Sequence, residues 1–175
     1  MRTFIALELP REFADGTAAL ARQLSSAVKG RFLPRENYHL TLAFMGEIGE
    51  SQARDAIAAL DAACAGCASV ELKPEGLGHF GRPSDATLWL GVAASPELIR
   101  LCSRVREELA AAGLPFDDKP FRPHITLARR ARLPQGQLPG LVFPLPEDAT
   151  RVTLFKSTLT QDGPIYKALY SVELG

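Results

Sequence analysis

The chain has 175 residues, a length typical of one domain that is large enough to bury a real core. Its composition, 46% hydrophobic and 23% charged, excludes an intrinsically disordered chain. The 20 basic and 20 acidic residues cancel, so the overall charge gives no argument for a long nucleic-acid groove. Any phosphate that binds must therefore meet positive charge that is local.

The first half of the chain predicts a strand, a helix, a loop and a second strand. Residues 3–9 (TFIALEL) are apolar and β-rich, which is typical of a strand. A helix over about 10–27 follows, because apolar residues recur there at helical spacing, and Gly30 ends it. The stretch RFLPRENY is a predicted loop, and the next strand covers 39–45.

The second half predicts the same order of elements. Residues 87–93 form a strand, and a helix begins with Ser95 as N-cap and Pro96 at its first position. Gly113 ends this helix, and a loop leads to a strand over 124–130.

The remaining segments predict elements that surround these two units. They are a helix over about 51–64 and strands near 69–72, 75–80, 151–159 and 166–174. The Pro- and Gly-rich stretch 134–146 is interpreted as a connection within a domain. We therefore expect residues 1–175 to form a single domain of two interleaved lobes.

The two predicted units end in nearly the same phrase, His-apolar-Thr-Leu-Ala. HLTLAFMG begins at His39, and HITLARRA begins at His124, 85 residues later. A period of this length excludes a solenoid array and is typical of two lobes related by a pseudo-two-fold axis. Because side chains alternate along a strand, each histidine shares a face with the threonine two residues on, Thr41 or Thr126. Both polar pairs can then face one central cleft.

A single His-x-Thr on a strand is usually a solvated sheet face, but two copies at equivalent points of a repeat favour a functional site. One neutral and one protonated imidazole can take and give a proton near neutral pH. Threonine hydroxyls can donate to phosphoryl oxygens. This set suits attack of water on a phosphodiester without a metal. Metal ligation is the competing use, disfavoured because a third and a fourth ligand are not evident.

The motifs and their context resemble the 2H phosphoesterase superfamily, whose mark is a pair of H-x-T/S-x motifs. YHLTLAFMGEIG and KPFRPHITLARRA are most similar to the bacterial and archaeal RNA 2′,3′-cyclic phosphodiesterase family, also described as 2′-5′ RNA ligase-like. The likeness extends from the opening RTFIALELP through TLWLGV to the closing LFKSTLTQDGPIYKALYSVEL. It implies an α+β, bilobal fold with two antiparallel sheets facing a central cleft, helices outside and a pseudo-two-fold repeat.

The resemblance also implies an activity and roles for the motif residues. The family hydrolyses RNA 2′,3′-cyclic phosphate ends to 2′-phosphomonoesters, so the 3′ oxygen leaves. His39 matches the proton donor to that oxygen, and His124 matches the base that activates water. Thr41 and Thr126 match phosphate-binding hydroxyls. No metal or cofactor is implied, and the partner is RNA with a cyclic phosphate end or a small cyclic nucleotide.

Further residues near the motifs are considered for substrate binding. The family carries an arginine at the position of Arg129, whereas strict alternation from His124 places Arg130 on the cleft face. Phe44 either stacks on a base or packs in the core. Tyr166 is a weaker stacking candidate.

Three other residues have simpler interpretations. Arg122 and Lys119 either flank the cleft or are solvated loop charges. His79 is interpreted as a loop or packing residue, because it lacks a threonine two residues on.

The three cysteines include one C-x-x-C spacing, Cys64 to Cys67, which occurs in redox pairs and in half of a zinc site. Cys102 and the three histidines provide no second closely spaced pair, so we expect buried or incidental thiols in a reducing compartment. The opening segment is too poor in apolar residues for a signal peptide, and no run approaches the ~18–20 apolar residues of a membrane span. A cytoplasmic monomer without a membrane partner is expected.

Four functions remain open on the sequence alone. The first is metal-independent hydrolysis of RNA 2′,3′-cyclic phosphate ends. The second is 2′-5′ RNA joining, which is the same chemistry in reverse. The third is hydrolysis of small cyclic nucleotides, and the fourth is non-catalytic binding of an RNA end.

Overall fold

A computed structural model describes residues 1–138 and 140–175. Helices α1, α2 and α3 cover Arg11–Ser25, Glu50–Cys64 and Pro96–Ala111. Strands β1 to β10 cover Arg2–Glu8, Lys29–Phe32, His39–Glu47, Val70–Leu72, Pro74–Arg82, Asp85–Val92, His124–Arg132, Glu147–Ala149, Arg151–Thr160 and Gly163–Glu173. A short 3₁₀ turn over Arg35–Asn37 precedes β3.

Two four-stranded antiparallel sheets carry the fold, which is therefore α+β as expected. One sheet has the order β10-β9-β1-β3 and the other has the order β2-β7-β6-β5, while β4 and β8 form a small separate pair. The strands of the two repeats occupy matching places, because β1 lies beside β3 and β6 lies beside β7. The two His-x-Thr strands are thus β3 in one sheet and β7 in the other.

The third helix shows why the predicted elements form where they do. The hydroxyl of Ser95 accepts a hydrogen bond from the backbone N–H of Leu98 at 3.2 Å, and Pro96 lies at the first helical position. This N-cap satisfies one of the donors that a helix start leaves without an intrahelical partner. The buried stripe of α3 then packs into the core, in agreement with its predicted helical spacing: Leu98, Leu101, Cys102, Val105 and Leu109.

The segment between α1 and β3 differs from the sequence prediction. Helix α1 ends at Ser25, and Gly30 lies not at a helix end but within strand β2, which pairs with β7. Strand β2 was missed because KGRF shows no apolar alternation. A Cβ on Gly30 would lie 2.9 Å from the Cα of Ala131, so glycine allows this close approach of the two backbones.

A segment of each repeat forms a backbone hydrogen bond to the motif strand of the other repeat, β3 or β7. The N–H of Leu33, which follows β2, donates to the carbonyl of Leu127 at 2.8 Å. In the opposite direction, the N–H of Asp117, which follows α3, donates to the carbonyl of Phe44 at 2.8 Å. The two halves of the chain are therefore linked through their motif strands.

Two further differences concern the regions outside the repeats. Strand β8 was not predicted, and His79 lies on strand β5 with an exposed side chain, not in a loop or packed. Residues 134–138 and 140–146 contain no helix or strand, which agrees with the predicted connection; Pro139 of that stretch lies outside the described residues.

Candidate active site

The two motif strands border one cleft between the sheets. Its cavity has a volume of about 550 Å³. Residues from both sheets, from α3 and from the loop before β7 line it: Thr41, Phe44, Phe80, Arg106, Asp117, Lys119, Pro120, Phe121, Arg122 and His124. The pseudo-symmetry predicted from the repeat thus brings the two motifs to a shared space.

Both motif histidines are held by the same backbone contact. Nδ1 of His39 lies 2.8 Å from the carbonyl oxygen of Asn37, and Nδ1 of His124 lies 2.6 Å from that of Arg122. A carbonyl oxygen can only accept a hydrogen bond, so each Nδ1 carries the proton. The other ring nitrogen, Nε2, is then free to exchange a proton with a substrate.

Aromatic side chains on the neighbouring strand of the same sheet pack against each imidazole. The His39 ring lies 4.7 Å from the Phe4 ring and 5.3 Å from the edge-on Tyr166 ring. The His124 ring lies 5.7 Å from Trp89. Phe4 and Trp89 are themselves 85 residues apart, so they occupy equivalent positions of the repeat, and this spacing is the sequence signal for both.

Tyr166 and Phe80 complete the two aromatic surrounds. Tyr166 contacts His39 and the Phe4 ring, at 4.9 Å, so it packs within this cluster. Phe80 lies edge-on to His124 at 5.1 Å and was not among the residues predicted for the site. Both imidazoles are consequently restricted in rotation by flat apolar neighbours.

The surroundings of the two rings favour their neutral forms. The pKa of His39 is lowered to about 4, mainly by burial and also by the positive charges of His124 and Arg129, against the contact to the Asn37 carbonyl, which raises it. Burial also lowers the pKa of His124, with Arg122 and Arg129 acting in the same direction. A bound anion would oppose both effects, because a nearby negative charge favours the imidazolium.

A β-bulge decides which arginine lies near the imidazoles. Leu127 and Ala128 stand together opposite Leu88 and are both buried, so alternation along β7 is interrupted between Thr126 and Arg129. The charge of Arg129 then reaches His39 and His124. Strict alternation, which would place Arg130 rather than Arg129 on the cleft face, therefore does not hold at this point of β7.

The equivalent bulge in β3 sets the direction of Phe44. Leu42 and Ala43 are both fully buried, and the pairing of β3 with β1 shifts at this point. Phe44 then lines the cleft instead of packing in the core, and the guanidinium of Arg2 lies 4.8 Å from its ring centre. Phe44 thus occupies in one repeat the place that Arg129 occupies in the other.

The remaining predicted site residues lie at or near the cleft. Thr41 and Thr126 are half-buried, and within residues 1–138 and 140–175 their hydroxyls form no side-chain hydrogen bond. Lys119 and Arg122 both line the cavity, and the Arg122 guanidinium lies 6.0 Å from the Phe80 ring centre. They flank the cleft and are also exposed.

The cysteines are free thiols, and none of them lines the cleft. Burial raises the pKa of Cys64 to about 12 and that of Cys102 to about 11, so neither forms a thiolate readily. In the part of the chain that the structure describes, no three His, Cys, Asp or Glu side chains group as a metal site would require. Among the same residues, no helix combines the length and apolar character needed to cross a membrane.

Comparison with known proteins identifies the family. A family model described as the 2′-5′ RNA ligase superfamily matches residues 10–157. The chain belongs to this superfamily. The RNA 2′,3′-cyclic phosphodiesterase of Thermotoga maritima, a similar protein, is 35% identical over 179 residues, covering 99% of this chain and 95% of that protein.

Further members support the same grouping. The Escherichia coli protein named RNA 2′,3′-cyclic phosphodiesterase is 30% identical over 169 residues, covering 96% of this chain and 93% of that protein. These relatives in the 2′-5′ RNA ligase superfamily support a hydrolase.

Solved structures share the fold along almost the entire chain. A Thermus thermophilus protein has a TM-score of 0.84 at 28% identity and covers 99% of this chain and 98% of its own. LigT of E. coli, solved in complex with 3′-AMP, has a TM-score of 0.81 at 28% identity, with 99% and 97% covered. These likenesses confirm the expected bilobal 2H phosphoesterase fold.

Proposed function

We propose that the protein hydrolyses RNA 2′,3′-cyclic phosphate ends to 2′-phosphomonoesters, with His39 as proton donor and His124 as proton acceptor, and without a metal ion. The observation that carries the proposal is the pair of imidazoles, each with Nδ1 bound to a carbonyl and Nε2 left for chemistry. The relatives named RNA 2′,3′-cyclic phosphodiesterase support the same reaction.

In the proposed reaction, Nε2 of His124 takes a proton from water as the water oxygen attacks phosphorus. The bond from phosphorus to the 3′ oxygen breaks, and the proton on Nε2 of His39 goes to that oxygen. The products are a 3′ hydroxyl and a 2′-phosphomonoester, so one water is consumed. Proton exchange with solvent returns both rings to their starting states. General acid and base catalysis of this kind contributes roughly 10²–10⁴-fold each.

The lowered pKa values fit this scheme only if the substrate supplies charge. A cyclic phosphodiester carries one negative charge, and placing it between the rings raises their pKa, since it opposes the lowering by Arg129. His39 then gains the proton that it lacks in the free protein near neutral pH. Binding of the anion thus prepares the acid.

Three further groups are proposed to hold the phosphate. The hydroxyls of Thr41 and Thr126 donate to its non-bridging oxygens, because both lie two residues after a motif histidine on the same strands. Arg129 supplies the positive charge that the neutral overall composition requires locally. Phe44 is proposed to contact the base, since its ring faces the cavity.

Ligation and small nucleotides remain secondary proposals. The same residues can catalyse 2′-5′ joining in reverse, although excess water favours hydrolysis. The complexes of E. coli LigT with 3′-AMP and with NADP+ support a nucleotide as an alternative occupant of the cleft. A non-catalytic binder would hold the RNA end and leave it unchanged.

To test the proposed hydrolysis, the protein is incubated with EDTA and an RNA oligonucleotide ending in a 2′,3′-cyclic phosphate. Mass spectrometry and phosphorus NMR follow the end. Gain of one water and a 2′-phosphate supports reaction, regiochemistry and metal independence together. A 3′-phosphate would reverse the leaving group, and loss of activity in EDTA would contradict metal independence. Unchanged RNA that stays bound would favour the binding function.

A further inference from the structure

Strands β2 and β7 present five exposed cationic side chains side by side. Lys29 pairs directly with Arg132 across the two strands, and Arg31 pairs directly with Arg129. Arg130 lies between them on β7. All five are exposed, and neither strand contains an acidic residue. We call Lys29, Arg31, Arg130 and Arg132 the basic stripe, and treat Arg129 as part of the cleft.

The basic stripe lacks internal compensation. Within residues 1–138 and 140–175, none of its side chains forms an ion pair with a carboxylate or a side-chain hydrogen bond. Like charges directly opposite on neighbouring strands are destabilising. The protein has zero net charge overall, but cations are concentrated on these two strands. Because they repel one another, they lower the free energy of the protein only when an anion binds to them.

The basic stripe is continuous with the cleft. Strand β7 begins with His124, continues through Thr126 and Arg129, and ends with Arg130 and Arg132. At about 3.3 Å per residue, the eight residue steps from His124 to Arg132 span roughly 26 Å. A chain whose end lies at the imidazoles can therefore follow β7 outwards past successive positive charges.

We propose that the basic stripe binds the backbone phosphates of single-stranded RNA upstream of the cyclic phosphate end. This inference rests on the proposed function. It predicts that the protein prefers an RNA chain with a cyclic phosphate end to a cyclic mononucleotide as its substrate. Arginine and lysine contacts to phosphates position a strand without reading its sequence. The contacts release counterions, so binding of the chain weakens as salt rises.

The test compares two substrates, a nucleoside 2′,3′-cyclic phosphate and a ten-nucleotide RNA with the same cyclic end. The variant is Lys29→Gln with Arg132→Gln, and the matched control is Arg54→Gln with Arg100→Gln, an equal charge change on exposed residues of α2 and α3. We expect the KM for the ten-nucleotide RNA to rise about tenfold in the variant. The cyclic mononucleotide and the control should show no change.

Salt dependence and direct binding provide a second measurement. For single strands, each lost phosphate contact reduces the slope of log K against log salt by about 0.7, so the variant should lose about 1.4. Fluorescence anisotropy with the labelled RNA measures this slope even if neither substrate is turned over, a result that would contradict the proposed function alone. Three results would overturn the proposal that the basic stripe binds RNA. They are an unchanged RNA affinity in the variant, an equal loss of affinity in the control, and a wild-type protein with no preference for the longer substrate.

Discussion

Asn37 connects the imidazole ring of His39 to strand β10 at the opposite edge of the sheet. Its carbonyl oxygen lies 2.8 Å from Nδ1 of His39, while its own side-chain amide donates to the carbonyl oxygen of Pro164 at 3.0 Å. The Asn37 side chain is buried, and Pro164 lies in β10 two residues before Tyr166, which packs edge-on against the same imidazole. One residue thus fixes the ring and the hairpin beside it.

Replacing Asn37 by Ala should therefore disturb the ring without removing it. The Pro164 carbonyl loses its donor, which costs about 1–3 kcal/mol of unfolding free energy when such a group stays buried. We expect kcat on the cyclic-ended RNA to fall about tenfold. Urea unfolding and steady-state kinetics measure the two effects. A destabilised variant with unchanged kcat and an unchanged pH profile would show that Asn37 serves the fold alone.

Substituting either motif histidine should remove most of the activity. We expect His39→Asn and His124→Asn each to lower kcat by roughly 10²–10⁴-fold. His79→Asn is the matched control, because His79 is the third histidine of the chain and is exposed on β5. Retained turnover in either motif variant would refute the assigned role of that residue.

The pH dependence should differ between kcat/KM and kcat. In the free protein the pKa of His39 is lowered to about 4, and that of His124 is also lowered. The required protonated His39 is therefore lost early as pH rises, so kcat/KM should be bell-shaped with its optimum below pH ~6.5. The bound phosphate raises both pKa values, so the optimum of kcat should lie at higher pH. A flat profile of both parameters between pH 5 and 9 would argue against the histidine pair.

Acid should destabilise the wild-type protein partly through His39. Its pKa is lower in the folded state, about 4, than the ordinary value of 6.5, so below pH 6.5 the unfolded chain binds the extra proton. The stability that the neutral ring provides is present above pH 6.5 and is lost as pH falls towards 4. His39→Asn should show a shallower decline of the urea midpoint over this range than His79→Asn. Parallel declines would contradict the burial of His39.

Gly78 should be intolerant of any side chain because of Trp89. A Cβ at this position would lie 2.2 Å from the indole ring. Gly78→Ala should therefore displace Trp89 and with it the contact to His124, at a cost of about 1–3 kcal/mol. Trp89 is the chain's single tryptophan, so its fluorescence reports the displacement directly. Gly136→Ala, where no atom lies within 4 Å, is the control and should leave the spectrum unchanged.

Periodicity in the sequence predicted the helices, the motif strands and their meeting at one cleft. These predictions depend on signals that a single chain contains: an N-cap at Ser95, alternation in each motif, and the 85-residue repeat between His39 and His124. The fold class is confirmed. The catalytic roles, the single-domain assignment, the cytoplasmic location and the monomeric state stay predictions.

The sequence could not give features that arise from pairing between distant segments. The bulge before Arg129 is visible only as a register shift against β6, and strict alternation fails there. Strand β2 forms because β7 offers it an edge, although KGRF alone has weak strand character. The carbonyl partners of the two histidines have a different origin, because they depend on the backbone geometry two residues before each ring.

The two repeats exchange equivalent segments, but the site that they form is not symmetric. Two identical repeats exchanging the same segments would make a symmetric site, in which either imidazole could serve as acid or as base. Phe44 on β3 and Arg129 on β7 occupy equivalent positions after equivalent bulges, yet one is aromatic and the other cationic. Under the proposed function, in which Phe44 contacts the base and Arg129 the phosphate, a nucleotide enters the cleft in one orientation. The duplicated fold thus forms a site whose two halves differ chemically.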